Sequence, residues 1–165
     1  MRPRGRAPEH PESPEAARRA ALLLLGRRDY ASGELLTKLT VSGYAPEAAQ
    51  AAIAALREER LLDDSRFLDN FVRAHAGRGQ GPARIRQELS VLGFPAADIQ
   101  AALEDGPDFT ALCREVRARK FGARPPASWA ERGRQGRFLQ YRGFSSDDIR
   151  LATGQDPDIS EDPTE

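Results

Sequence analysis

Three Gly-aromatic pairs, Gly43-Tyr44, Gly93-Phe94 and Gly143-Phe144, stand 50 residues apart, and each follows a leucine at the same offset, Leu39, Leu89 or Leu139. One sequence unit used three times narrows the folds open to this chain. Each piece is too small to bury a deep core by itself, so neighbours must cover one another's apolar faces, and an elongated shape is expected.

Within each unit the apolar spacing is helical. Ser13-Pro14 reads as an N-cap followed by proline at the first helical position, opening a helix to about Arg28. Ser32 is expected to cap the next, with Leu35 and Leu39 on one face, and Gly43 to end it because glycine accepts the left-handed C′ conformation. Pro46 starts a third helix carrying Ala49, Ile53 and Leu56. The pattern returns with Asp63 or Asp64 as a cap, a break at Gly77 to Gly81, Pro82 opening a helix with Ile85 and Leu89, and Pro95 starting another with Ile99 and Leu103. In the last unit Asp108 caps a helix, Ser128 and Glu131 form a capping box, and Ser145 caps a short final helix. No segment sustains strand alternation. The expected fold is all-α: three tandem three-helix repeats, residues 16–62, 63–107 and 108–154, forming an elongated, curved, solenoid-like chain. A disordered Pro/Arg arm over 1–15 and an acidic disordered tail over 155–165 are expected to flank them.

Composition removes several functions. The longest aliphatic run, Ala20 to Leu25, is far short of the roughly 20 residues of a membrane span, which predicts a cytoplasmic protein. Cys113 is the only cysteine, and with only His10 and His75 there is no zinc spacing. Neither a metal nor a cofactor is expected, and no nucleophile and base are set out for catalysis. Asp63-Asp64 and Asp147-Asp148 read as helix caps or first-turn carboxylates rather than metal ligands. The 25 basic and 25 acidic residues cancel, but 155–165 hold five acids and no base, whereas 108–154 hold ten bases and five acids. The third repeat is the basic one. Gln135 stands where repeats 1 and 2 have the core residues Leu35 and Ile85, which leaves that face freer to meet a ligand.

The strings Leu62-Asp63-Asp64-Ser65-Arg66-Phe67, Gly81-Pro82-Ala83-Arg84-Ile85-Arg86-Gln87-Glu88-Leu89 and Arg137-Phe138-Leu139-Gln140-Tyr141-Arg142-Gly143-Phe144 resemble the signatures of the bacterial RecX family. Order and spacing also match, from about Ala16 to Thr153. The resemblance implies tandem three-helix repeats that bind the filament of the RecA recombinase and usually inhibit it. That means a monomeric regulator of recombination, DNA repair and the SOS response, not an enzyme.

On that reading Arg66, Arg84 and Arg86 are the main candidate contacts, with Arg134, Arg137 and Arg142 as a second patch. Helical pitch puts Arg84 and Arg86 on opposite flanks of the stripe marked by Ile85. Gly79 and Gly81 would let the helix start at Pro82 approach an anion. The plainer alternative is an ordinary helix start with Arg84 paired to Glu88. The arginines of repeat 3 could also follow nucleic-acid phosphates without reading sequence, so a stand-alone DNA-binding protein is the competing expectation.

Overall fold

The computed structural model describes residues 7–154. Among them lie nine helices and no strand: α1 (Pro14–Leu25), α2 (Ser32–Val41), α3 (Pro46–Glu58), α4 (Asp64–Gly77), α5 (Pro82–Val91), α6 (Ala96–Glu104), α7 (Phe109–Phe121), α8 (Trp129–Arg142) and α9 (Ser146–Thr153). The all-α expectation holds. The acidic tail over 155–165 and the first six residues of the arm lie outside the described residues. The rest of the arm is tied down: Ala45 N–H donates to the Pro11 carbonyl at 2.9 Å, and Pro8 lies against Gly43.

The recurring leucine, glycine and aromatic form one device three times over. The Tyr44, Phe94 and Phe144 amides donate to the Leu39, Leu89 and Leu139 carbonyls, while the amides of Gly43, Gly93 and Gly143 reach Thr40, Ser90 and Gln140. This is the Schellman closure of α2, α5 and α8, and it requires the positive φ that the three glycines adopt, 103°, 89° and 95°. Two of the aromatics complete it inside their own repeats: Tyr44 packs on the core of repeat 1, and Phe144 is buried in that of repeat 3.

Caps differ in one place from the sequence expectation. Ser13, Asp108, Ser128 and Ser145 accept the expected amides. Ser32 caps nothing: it is the first residue of α2, and its own amide donates to Asp64 Oδ1 at 2.8 Å. Asp63 Oδ1 meanwhile accepts the Arg66 amide at 3.0 Å at the start of α4. Two adjacent carboxylates therefore serve two different helices. α1 also ends earlier than expected, at Leu25, with Gly26 as its cap.

The chain divides into two compact units, one ending at Leu68 and the other beginning at Asp69. In the first, α1 lies along α3 through buried alanines (Ala17 and Ala21; Ala48, Ala49 and Ala52), and Leu35, Leu39, Leu56 and Leu62 fill the core. In the second, Val72, Ile85, Leu89, Ile99 and Leu103 are buried in repeat 2, whereas Cys113, Val116, Leu139, Phe144 and Ala152 form the core of repeat 3.

Candidate functional site

In the second unit the C-terminus of α8 abuts the N-terminus of α5. Gly81 N–H donates to the Arg142 carbonyl at 2.7 Å, and Ala83 N–H donates to the Gly143 carbonyl at 3.0 Å. Pro82, between them, has no amide to satisfy. Orphan donors of one helix thus meet orphan acceptors of the other, with opposite ends of two dipoles in contact. A Cβ on Gly81 would stand 2.4 Å from Gly143 C and Phe144 N, and one on Gly143 would stand 2.6 Å from Arg84 N and Cβ. The close approach expected at Gly81 is therefore to the chain itself, and the helix start foreseen as an anion site is already occupied by carbonyls.

Beside this joint, α4, α5 and α8 line a groove of about 710 Å³, with Phe71, Val91, Leu92 and Tyr141 supplying apolar surface and Arg84 and Glu88 the charge. Arg84 Nε donates to Glu88 Oε1 at 3.2 Å, and its guanidinium lies 5.8 Å from the Tyr141 ring centroid. His75 is partly buried, stacked on Phe71 at 3.8 Å with Nδ1 3.2 Å from Glu88 Oε2.

The other predicted arginines are spread out. Arg86 takes the opposite flank of α5 from Arg84, as pitch requires, and donates to Gln100 Oε1 at 2.7 Å. Arg142 is half-committed, donating to the Arg78 carbonyl at 3.0 Å with its guanidinium 5.3 Å from the Phe138 ring centroid. Arg134 is exposed and only 4.0 Å from Glu131, and Arg137 is exposed with no ion pair among the described residues. Arg66 is exposed in the other compact unit. The structure thus joins Arg84 and Arg142 at the α5–α8 joint, and it leaves Arg86, Arg134 and Arg137 outside that groove.

Gln135 is not the open polar surface the repeat pattern suggests. It is 7 % exposed, and its Oε1 accepts from Nη1 of Arg117, itself 6 % exposed, at 3.2 Å. The Arg124 and Ala123 carbonyls accept two further bonds from Arg117 at 3.0 and 3.2 Å. The departure from the repeat pattern answers a buried arginine, since an unsatisfied guanidinium there would be costly. Sequence periodicity marked Gln135 as different but could not show that α7 supplies its partner.

One feature escaped the motif reading. Two residues before each recurring glycine stand Val41, Val91 and Tyr141, exposed by 82 %, 83 % and 78 %. Single exposed apolar residues are ordinary; the same register position in every repeat is not explained by packing. The spacing of 50 was visible in the sequence. Among the described residues no group of three His, Cys, Asp or Glu side chains is arranged to hold a metal, and no helix is long and apolar enough to cross a membrane.

Comparison with known proteins gives consistent matches. Residues 17–56, 63–103 and 108–153 match the first, second and third three-helix domains of RecX. The chain is 47 % identical over 145 residues to "Regulatory protein RecX" of Pseudomonas fluorescens strain Pf-5, covering 87 % of this chain and 94 % of that one. It is 48 % identical over 139 residues to the protein of the same name from Halorhodospira halophila, covering 84 % and 86 %. In fold it is similar to the crystal structure of RecX from Lactobacillus salivarius, with a TM-score of 0.72 at 21 % identity over 82 % of this chain and 91 % of that one.

Proposed function

Because this chain belongs to the RecX family, we propose that it binds the filament of the RecA recombinase on DNA and restrains its ATPase and strand-exchange activity. The observation that carries this reading is the recurrence of an exposed apolar residue, Val41, Val91 and Tyr141, at one register of three tandem repeats. Repeats that present the same contact suit a partner that also repeats, where several weak contacts on one tether combine into avidity. Arg66, Arg84 and Arg86 are the main polar contacts, and Arg134, Arg137 and Arg142 form the second patch. The exposed guanidinium groups of Arg66, Arg86, Arg134 and Arg137 support that assignment most. Inhibition requires that the protein prefer a stalled or dissociating filament to the active one, since equal affinity for both would shift nothing. The protein acts as a cytoplasmic monomer, without cofactor and without catalysis.

The test is RecA-dependent ATP hydrolysis on single-stranded DNA at moderate salt, titrated with this protein. Half-inhibition at far less than one copy per RecA protomer is expected. Inhibition that begins only when the DNA is saturated would refute filament action and leave the alternative, sequence-independent DNA binding.

A further inference from the structure

The three Schellman turns share one backbone conformation but not one neighbour. A Cβ on Gly143 would meet Arg84 N and Cβ at 2.6 Å, and one on Gly43 would meet Pro8 Cδ at 3.0 Å, whereas one on Gly93 meets nothing within 4 Å among the described residues. The φ values are 95°, 103° and 89°, so the difference does not lie in the turns themselves. In repeat 3 the turn seats the first turn of a helix: Gly81 N–H donates to the Arg142 carbonyl at 2.7 Å and Ala83 N–H to the Gly143 carbonyl at 3.0 Å. In repeat 1 it takes the proline strap of the arm, fastened by the Ala45 N–H to the Pro11 carbonyl at 2.9 Å.

A strap tied in that way cannot close repeat 2. Pro95 stands where Ala45 does and has no N–H to donate. What its turn offers is acceptors: the Leu92 and Gly93 carbonyls receive no backbone donor among the described residues, and they lie at the negative end of the α5 dipole. The matching group is a helix N-terminus, whose orphan amides and positive dipole end fill the same turn in repeat 3. We propose that the turn at Gly93 seats the first turn of a helix from the filament protein; that the helix belongs to RecA rests on the function proposed above. The occupant of the repeat 3 turn tells what that helix must carry. Its N-cap is glycine, because a Cβ on Gly81 would stand 2.4 Å from Gly143 C. Its third residue is aliphatic. In repeat 3 that residue, Arg84, has its guanidinium 5.8 Å from the Tyr141 ring centroid, whereas repeat 2 has Val91 in place of Tyr141, 83 % exposed and without a ring to hold a cation.

The test measures affinity for RecA filaments assembled on single-stranded DNA with a non-hydrolysable ATP analogue, and for the bare DNA, by biolayer interferometry. The parent is compared with Gly93→Ala and Gly93→Asn. Both variants put a side chain where the incoming helix must lie, at a position whose Cβ meets nothing in the free protein. Asparagine tolerates positive φ better than alanine does but fills more of the seat, so strain and blockage rank the two variants in opposite orders. Blockage predicts that Gly93→Asn weakens filament binding about tenfold or more, the loss of a central contact, and binds no more tightly than Gly93→Ala, with affinity for bare DNA unchanged. Circular dichroism confirms that both variants are folded. Gly93→Asn that binds filaments like the parent, or more tightly than Gly93→Ala, overturns the proposal. So does an equal loss on bare DNA. A parent that binds no filament overturns the RecA reading and the seat with it, whereas a parent that binds beside unaffected variants overturns the seat alone.

Discussion

Replacing Gly81 with alanine separates two reasons for a glycine. Its φ of −85° and ψ of 169° are extended, so alanine meets no backbone strain there and by itself would stabilise by about 0.4–1 kcal/mol through the unfolded chain. The neighbour reverses the sign. A Cβ 2.4 Å from Gly143 C and Phe144 N, and 2.5 Å from Gly143 O, meets backbone that cannot rotate away. Ordinary carbon contacts begin near ~3.5 Å, so α5 and α8 must part by about 1 Å. That breaks the 2.7 Å bond to Arg142 and the 3.0 Å bond to Gly143, at about 1 kcal/mol each. Overpacking adds about 1–3 kcal/mol. The expected loss is about 3 kcal/mol, read from urea unfolding by circular dichroism. Gly93→Ala is the control, because nothing lies within 4 Å of its Cβ and it carries only the strain of φ +89°, about 1–2 kcal/mol. Gly143→Ala combines strain and clash and should be worst. Gly81→Ala within about 0.5 kcal/mol of the parent, the range of an ordinary surface change, or Gly143→Ala equal to Gly93→Ala, would refute the argument.

Four further outcomes are expected. Gln135→Leu should destabilise by about 2 kcal/mol, the scale of a hydrogen bond to a charged group, and adding Arg117→Met should recover most of that loss in a double-mutant cycle. The Arg66 amide holds the Asp63 carboxyl below the ordinary aspartate range. A depressed acid stabilises above its unfolded pKa of about 4 and loses that effect as pH falls through the folded value, so the protection of the Arg66 amide, its exchange rate relative to the intrinsic rate at each pH, should fall in acid in the parent and not in Asp63→Asn. Burial, assisted by the Asp148 carboxylate, pushes the Cys113 thiol up to about 12. The raised value gives stability that is complete below about 8.5 and lost as pH rises toward the folded value, and native Cys113 should resist iodoacetamide at neutral pH until the protein unfolds. Val41→Ser, Val91→Ser and Tyr141→Ser should each alter stability by under about 0.5 kcal/mol while filament affinity falls stepwise as they are combined, and unchanged affinity in the triple variant would remove these three residues from the proposed contacts.

Local chemistry was the legible part of this protein. The Leu-Gly-aromatic spacing announced three left-handed helix closures, and Ser13, Asp108, Ser128 and Ser145 cap as their positions predict, because each device uses atoms within a few residues. What the sequence hid depends on partners far along the chain. Ser32 looked like a cap and is the group being capped, by Asp64. Gln135 looked like a freed surface and is the partner of Arg117. Gly81 looked like an approach for a ligand and is the seat of Gly143. At the candidate site, Arg86 and Arg137 are as exposed as a contact needs, whereas Arg84 and Arg142 are partly spent on Glu88 and Arg78.

The adjacent carboxylates at the start of α4 bear on how such a protein can change over generations. Asp63 looks forward to α4 and Asp64 looks back to α2, so the second sequence repeat opens on two adjacent side chains that serve opposite neighbours. Deletion of the whole second unit would strand the Ser32 amide without its acceptor. The units were copied as equals, but α2 now depends on a residue encoded in the next copy, which makes the number of repeats harder to alter than their sequence.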